Sequence, residues 1–173
     1  MPDSLKVFPD AGCNADCSDV SAFNQCLATD AGIVAAINHA RATFLADAAV
    51  NRLVLNLSLG GGAACPAAVQ TAIDNAVAAG IVFVIAAGND GAAVSQPANC
   101  NNVIPVGATN ESDQVASFSN TGPELAANGL VAPGVNIVTT GLNGAVLGGV
   151  SGTSFSAPVV AGAAALILAS KPA

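Results

Sequence analysis

Basic residues are scarce in this chain of 173 residues: Lys and Arg together number 4 against 11 Asp and Glu, for a formal net charge of -7. Favourable contact with a phosphate backbone or an anionic lipid surface depends on clusters of Lys and Arg. Nucleic acid and membrane are therefore not expected as partners. Histidine is scarcer still, with His39 alone, and the five cysteines Cys13, Cys17, Cys26, Cys65 and Cys100 are spaced too irregularly for a zinc ribbon. Long apolar runs are missing too. None reaches the roughly 18 residues that span a bilayer; the longest, Ala157 to Ala169, is broken by Pro158 and Gly162 and is expected to be a buried helix. Met1-Pro2-Asp3-Ser4 has neither a basic start nor an apolar stretch, so no signal peptide is expected in this chain.

What is present is a chain 53% hydrophobic, long enough to bury a sizeable core as one domain without help from metals. The cysteines read best as disulfide partners. Persistent disulfides need an oxidising compartment, which points to a secreted or extracellular parent protein. Their odd number points to a partner for one of them outside the sequence.

Leu5-Lys6-Val7-Phe8 has the pattern of a short strand, followed by a polar, cysteine-bearing loop from Pro9 to about Thr29. From Asp30, a candidate N-cap, Ile33, Ile37, Ala40 and Phe44 recur at helical spacing. Arg52 to Leu57 is an apolar run of strand length closed by Gly60-Gly61-Gly62, and its continuous apolarity suits a parallel strand covered on both faces. Pro66 suits a helix start. Val69, Ile73 and Val77 follow on one face before Gly80 ends the helix, and Ile81 to Ile85 is the next strand, stopped by Gly88-Asn89. Strand, helix, strand in this order is a βαβ unit with a parallel sheet. Val103–Val106 and Val135–Val138 supply further short strands, and Ser154–Ala169 a last helix. The expected fold is a single α/β domain over residues 1–173, a three-layer α/β/α arrangement with a mainly parallel sheet.

In open α/β sheets, reactive groups gather at the carboxyl ends of parallel strands. Ser58-Leu59-Gly60-Gly61 and Ala86-Ala87-Gly88-Asn89 each follow a strand, and Gly152-Thr153-Ser154 opens the last helix. Small residues in the first two let an extended peptide approach the backbone. Ser154 at a helix N-terminus stands where free N–H groups favour developing negative charge. Asn89 offers an amide donor, and the Ser154 N–H and the Asn89 amide form the natural pair for the oxyanion of an acyl-transfer intermediate. Taken singly, Ser154 also reads as a helix cap, Asn89 as a turn residue, Gly60 to Gly62 as loop punctuation and Ala86 to Gly88 as tight packing.

Gly152-Thr153-Ser154-Phe155-Ser156-Ala157-Pro158-Val159-Val160-Ala161-Gly162 resembles the nucleophile signature of the subtilisin-like serine proteases, the subtilases. Asn56 to Gly61 is similar to the strand that lines their cleft, Ala86 to Asn89 to the segment with their oxyanion-hole asparagine, and Val131-Ala132-Pro133-Gly134 to another of their segments. Four motifs in the family's order are a specific match. The resemblance implies a serine endopeptidase acting on polypeptides, with Ser154 the nucleophile and Asn89 the oxyanion donor. Substrate would add as a strand beside Ser58-Leu59-Gly60, with Ser58 to Gly61 and Ala86 to Gly88 walling the specificity pocket and Thr153 adjoining it. It also implies a Cys65–Cys100 disulfide and a cis bond before Pro97. It leaves the pairing of Cys13, Cys17 and Cys26 open.

The family's triad runs Asp, His, Ser, and its aspartate and histidine motifs are absent from these residues. His39 reads as a solvated helix residue and Asp10-Ala11-Gly12 as a turn. The chain alone is therefore expected to be inert, and a non-catalytic peptide-binding or structural remnant is the alternative. An esterase is disfavoured because no Gly-x-Ser-x-Gly elbow is present. No cofactor is called for. Asp113 and Glu124 are single loop carboxylates that assemble no ligand set, so no metal residue is assigned, while the resemblance leaves calcium open because subtilases often bind it.

Overall fold

The computed structural model describes residues 28–62, 64–141 and 144–170. The expected strand at residues 5–8, most of the loop after it, Asp10-Ala11-Gly12, and Cys13, Cys17 and Cys26 lie outside the described residues. The first helix, α1 (Asp30–Ala46), is capped one residue earlier than the sequence pattern implies: Thr29 Oγ1 accepts the Gly32 N–H at 3.1 Å, and Asp30 lies in the first turn. Its apolar stripe of Ile33, Ile37 and Ala40 is buried as the spacing requires. Arg41 reaches across to donate its Nε to the Asn75 carbonyl at 3.0 Å, tying α1 to the last turn of α2 (Ala67–Ala78). Helix α2 buries Val69, Ala72, Ile73 and Ala76, and Gly80, at φ +93°, turns the chain into the next strand.

Four parallel strands follow the order β1-β2-β3-β4: β1 (Leu53–Leu57), β2 (Ile81–Ala86), β3 (Ile104–Thr109) and β4 (Leu130–Pro133). Strand β2 is the spine. Its residues alternate between two apolar clusters, with Ile81, Phe83 and Ile85 facing the α1 and α2 side. Val84 and Ala86 face Ala157 and Val160 of the last helix, α4 (Thr153–Ser170). Each large side chain so buried contributes about 1.5–3 kcal/mol. The result is the expected α/β/α layering. Among the described residues β1 is one of the two edge strands, which leaves one side of Leu53-Val54-Leu55 without a partner strand.

The C-terminal helix corrects the sequence reading. Only 22% of α4 is buried, although by length and composition it is apolar enough to cross a membrane. Ala157 and Val160 pack on the sheet near its start, while Val159, Leu166 and Ile167 are exposed. The expected strand at 135–138 is also displaced: β5 runs Ile137–Thr140 and pairs antiparallel with β6 (Val146–Val150) in a separate two-stranded sheet. Asn136 adopts φ +56°, a turn conformation that delays the strand. A six-residue helix, α3 (Pro123–Asn128), precedes β4.

Candidate active site

The end of β4 is the seat on which the serine turn rests. The Gly152 N–H donates to the Gly134 carbonyl at 2.8 Å, and the Ser156 hydroxyl donates toward the Ala132 and Pro133 carbonyls at 3.0 and 3.2 Å. Position 134 has no room for a side chain, because a Cβ there would fall on Ser156 Oγ. Together these contacts fix where α4 begins relative to the carboxyl ends of the strands, the usual location of a reactive site in such sheets.

Ser154 is half-buried and is the second residue of α4. Its N–H belongs to the first turn, where the helix supplies no acceptor and its dipole favours negative charge. From the end of β1, the Ser58 hydroxyl donates to the Ser154 carbonyl at 2.8 Å and accepts from Asn56 Nδ2 at 3.1 Å. From the end of β2, Asn89 Oδ1 accepts both donors of Thr153, its N–H at 2.8 Å and its hydroxyl at 2.9 Å. With Oδ1 engaged twice, the orientation of the exposed Asn89 amide is set, and its Nδ2 hydrogens are what it offers a ligand. Thr153 itself is fully buried, and its Oγ1 accepts the Gly88 N–H at 3.3 Å. Segments as far as 96 residues apart in sequence thus meet around Ser154.

Gly88 must be glycine. It holds φ +112°, and a Cβ would collide with Asn120 Nδ2 and approach Ser95 Oγ to 2.8 Å. Ala86 and Ala87 are buried, one in each apolar cluster, so their small size serves packing as well as any pocket wall. Leu59 is partly buried, whereas Gly60 and Gly61 are exposed. The Gly61 N–H donates to the Gln96 carbonyl at 3.0 Å, and the Cys65–Cys100 disulfide clips the far end of the same loop. The Gln96–Pro97 bond is cis. His39 is exposed on α1, which covers the sheet face opposite α4, and so stands apart from Ser154. Among the described residues no three His, Cys, Asp or Glu side chains gather as a metal site.

Sequence reasoning missed three polar residues that build this site. Asn56 was detectable as the one polar residue inside an apolar strand. Ser156 lies within the serine signature but had no separate role. Asn120 gave no local sign, since its partners are about 30 residues away.

The pattern of the subtilase family matches residues 11–173. Subtilisin amylosacchariticus of Bacillus subtilis subsp. amylosacchariticus is 47% identical over 127 residues, covering 70% of this chain and 32% of that protein. An extracellular protease of Xanthomonas campestris pv. campestris is 42% identical over 127 residues, covering 69% of this chain and 21% of its own length. The chain therefore spans about a third or less of these two curated relatives. The crystal structure of a cold adapted subtilisin-like serine proteinase superposes with a TM-score of 0.71 at 35% identity, over 82% of this chain and 49% of that one. On sequence pattern and fold alike, the chain belongs to the subtilase family.

Proposed function

We propose that the chain carries the nucleophile and oxyanion hole of a serine endopeptidase that cleaves polypeptides through an acyl-enzyme on Ser154. In this reading Ser154 Oγ attacks the scissile carbonyl carbon. The negative charge that gathers on the carbonyl oxygen is received by the Ser154 N–H and Asn89 Nδ2. The observation that carries the reading is the paired donation from Thr153 to Asn89 Oδ1, which turns the amide hydrogens outward beside the nucleophile turn. The substrate backbone lies along Ser58-Leu59-Gly60, where exposed glycine leaves room for an added strand. The chemistry calls on no cofactor. The disulfide and the extracellular relative support a secreted parent.

The proton on Ser154 Oγ needs a general base, and His39, the one histidine of the chain, lies on the opposite face of the sheet and does not supply it. That placement also favours a second reading, a peptide-binding module without catalysis. A fluorophosphonate, which reacts with an activated serine, separates the two when free imidazole is added as a substitute base. The expected result is negligible labelling without imidazole and labelling of Ser154 with it. Ser154→Ala abolishes the signal, and Asn89→Leu slows it roughly 10²- to 10³-fold. Absence of labelling at any imidazole concentration would establish the non-catalytic module instead.

A further inference from the structure

The loop bearing Asn89 is held by another loop, residues 118–121. The Gly91 N–H donates to the Phe118 carbonyl at 2.7 Å, the Thr121 N–H to the Ala92 carbonyl at 2.9 Å, and the Asn120 N–H to the Gly88 carbonyl at 3.0 Å. The Asn120 side chain, 1% exposed, completes the attachment from inside. Its Oδ1 accepts the Asp90 N–H at 2.8 Å and the Ala92 N–H at 3.1 Å, while its Nδ2 donates to Asp90 Oδ2 at 3.5 Å. One residue therefore grips the chain immediately before Asn89 through its backbone and immediately after it through its side chain. The glycine requirement at position 88 has the same origin, because Asn120 Nδ2 fills the space a Cβ would take.

We propose that Asn120 is a positioning residue for the oxyanion donor. By accepting the Asp90 and Ala92 N–H groups it holds the 88–92 loop in the shape that brings Asn89 Oδ1 to Thr153 and presents Nδ2 to the reacting carbonyl. This rests on the assignment of Asn89 as oxyanion donor. The physical basis is the loss of two hydrogen bonds to a buried acceptor, each of which stabilises the loop. Two N–H groups share a single buried oxygen, so removing that oxygen releases both at once.

The test is amide hydrogen exchange and side-chain NMR on the uniformly ¹⁵N-labelled chain. In Asn120→Leu, exchange at Asp90 and Ala92 is expected to rise roughly ten- to a hundredfold, and the Asn89 side-chain amide resonances to move toward those of a solvated amide. Exchange at Val84 and Val106 in the sheet stays at its original rate. The double exchange Asn120→Asp with Asp90→Asn keeps an accepting oxygen and reverses the donor–acceptor pair, and is expected to restore protection. Unchanged exchange at Asp90 and Ala92, an equal rise at Val84 and Val106, or no recovery in the double variant each overturns the proposal. Imidazole-dependent labelling of Asn89→Leu separately tests the assignment underneath. Labelling as fast as in the parent chain removes the oxyanion role, whatever the loop does.

Discussion

Replacing Gly88 by alanine adds one methyl group at the most crowded turn of the site. The backbone there sits at φ +112°, and holding a non-glycine residue in such a region costs about 1–3 kcal/mol. The new Cβ also lands on Asn120 Nδ2 and within 2.8 Å of Ser95 Oγ, both on buried side chains, and forcing an atom into a filled site costs about 1–3 kcal/mol more. The two terms together are roughly 2–6 kcal/mol, a large share of the 5–15 kcal/mol by which domains are usually stable. At a urea dependence of about 2 kcal/mol per molar, the unfolding midpoint followed by circular dichroism should fall by roughly 1–3 M. Gly162→Ala is the matched comparison. Position 162 lies in α4, where a Cβ would meet nothing within 4 Å, and alanine is about 0.5–1 kcal/mol better than glycine in a helix. Its midpoint should rise. If Gly88→Ala moves the midpoint no more than Gly162→Ala does, the crowding inferred around Asn120 is wrong.

The double substitution Cys65→Ser with Cys100→Ser opens a loop with a sequence separation of 35 and should cost about 4 kcal/mol on the chain-entropy relation, seen as a lower melting temperature. An unchanged melting temperature would mean that the bond restrains the unfolded chain very little. Thr29→Ala removes the acceptor for the Gly32 N–H and should destabilise α1 by about 1 kcal/mol, measurable in the same urea titration. A loss much above that would mean Thr29 has contacts beyond its cap.

The elements legible in the sequence are those whose pattern is local. Ile33, Ile37 and Ala40 announce α1, Val69 and Ile73 announce α2, and the β-branched run at 81–85 announces β2. Strand β3 is legible in its first half only. Pro105 lies at its start, paired with Ile85 on one side, and β4 joins the other side only from Val106, which explains how a proline enters an inner strand. Strand β6 carries Gly148-Gly149 and exposes most of its residues, so neither alternation nor burial marks it. Helix α4 misleads for the opposite reason: an apolar composition implies burial on all sides, whereas Val159, Leu166 and Ile167 face outward. At the site, the motifs locate Ser154, Asn89, Ser58 and Gly88, since each ends or begins an element. Asn120 is illegible because its role consists of hydrogen bonds to a loop distant in sequence.

Thr153 aims its N–H at Asn89 Oδ1, and its hydroxyl lies nearer to that oxygen, at 2.9 Å, than to the Gly88 carbonyl, at 3.4 Å, which has a consequence for which molecules the site tolerates. An ordinary surface amide is ambivalent and can rotate to greet either a hydrogen or a lone pair. Here rotation would set Nδ2 against two donors, so the amide is polarised in one sense only. A guest bringing a hydroxyl or ammonium hydrogen to that point meets hydrogen, and one bringing an oxygen lone pair is welcomed. In the proposed reading the Asn89 amide behaves as a rectifier for hydrogen-bond polarity, although it carries no formal charge itself.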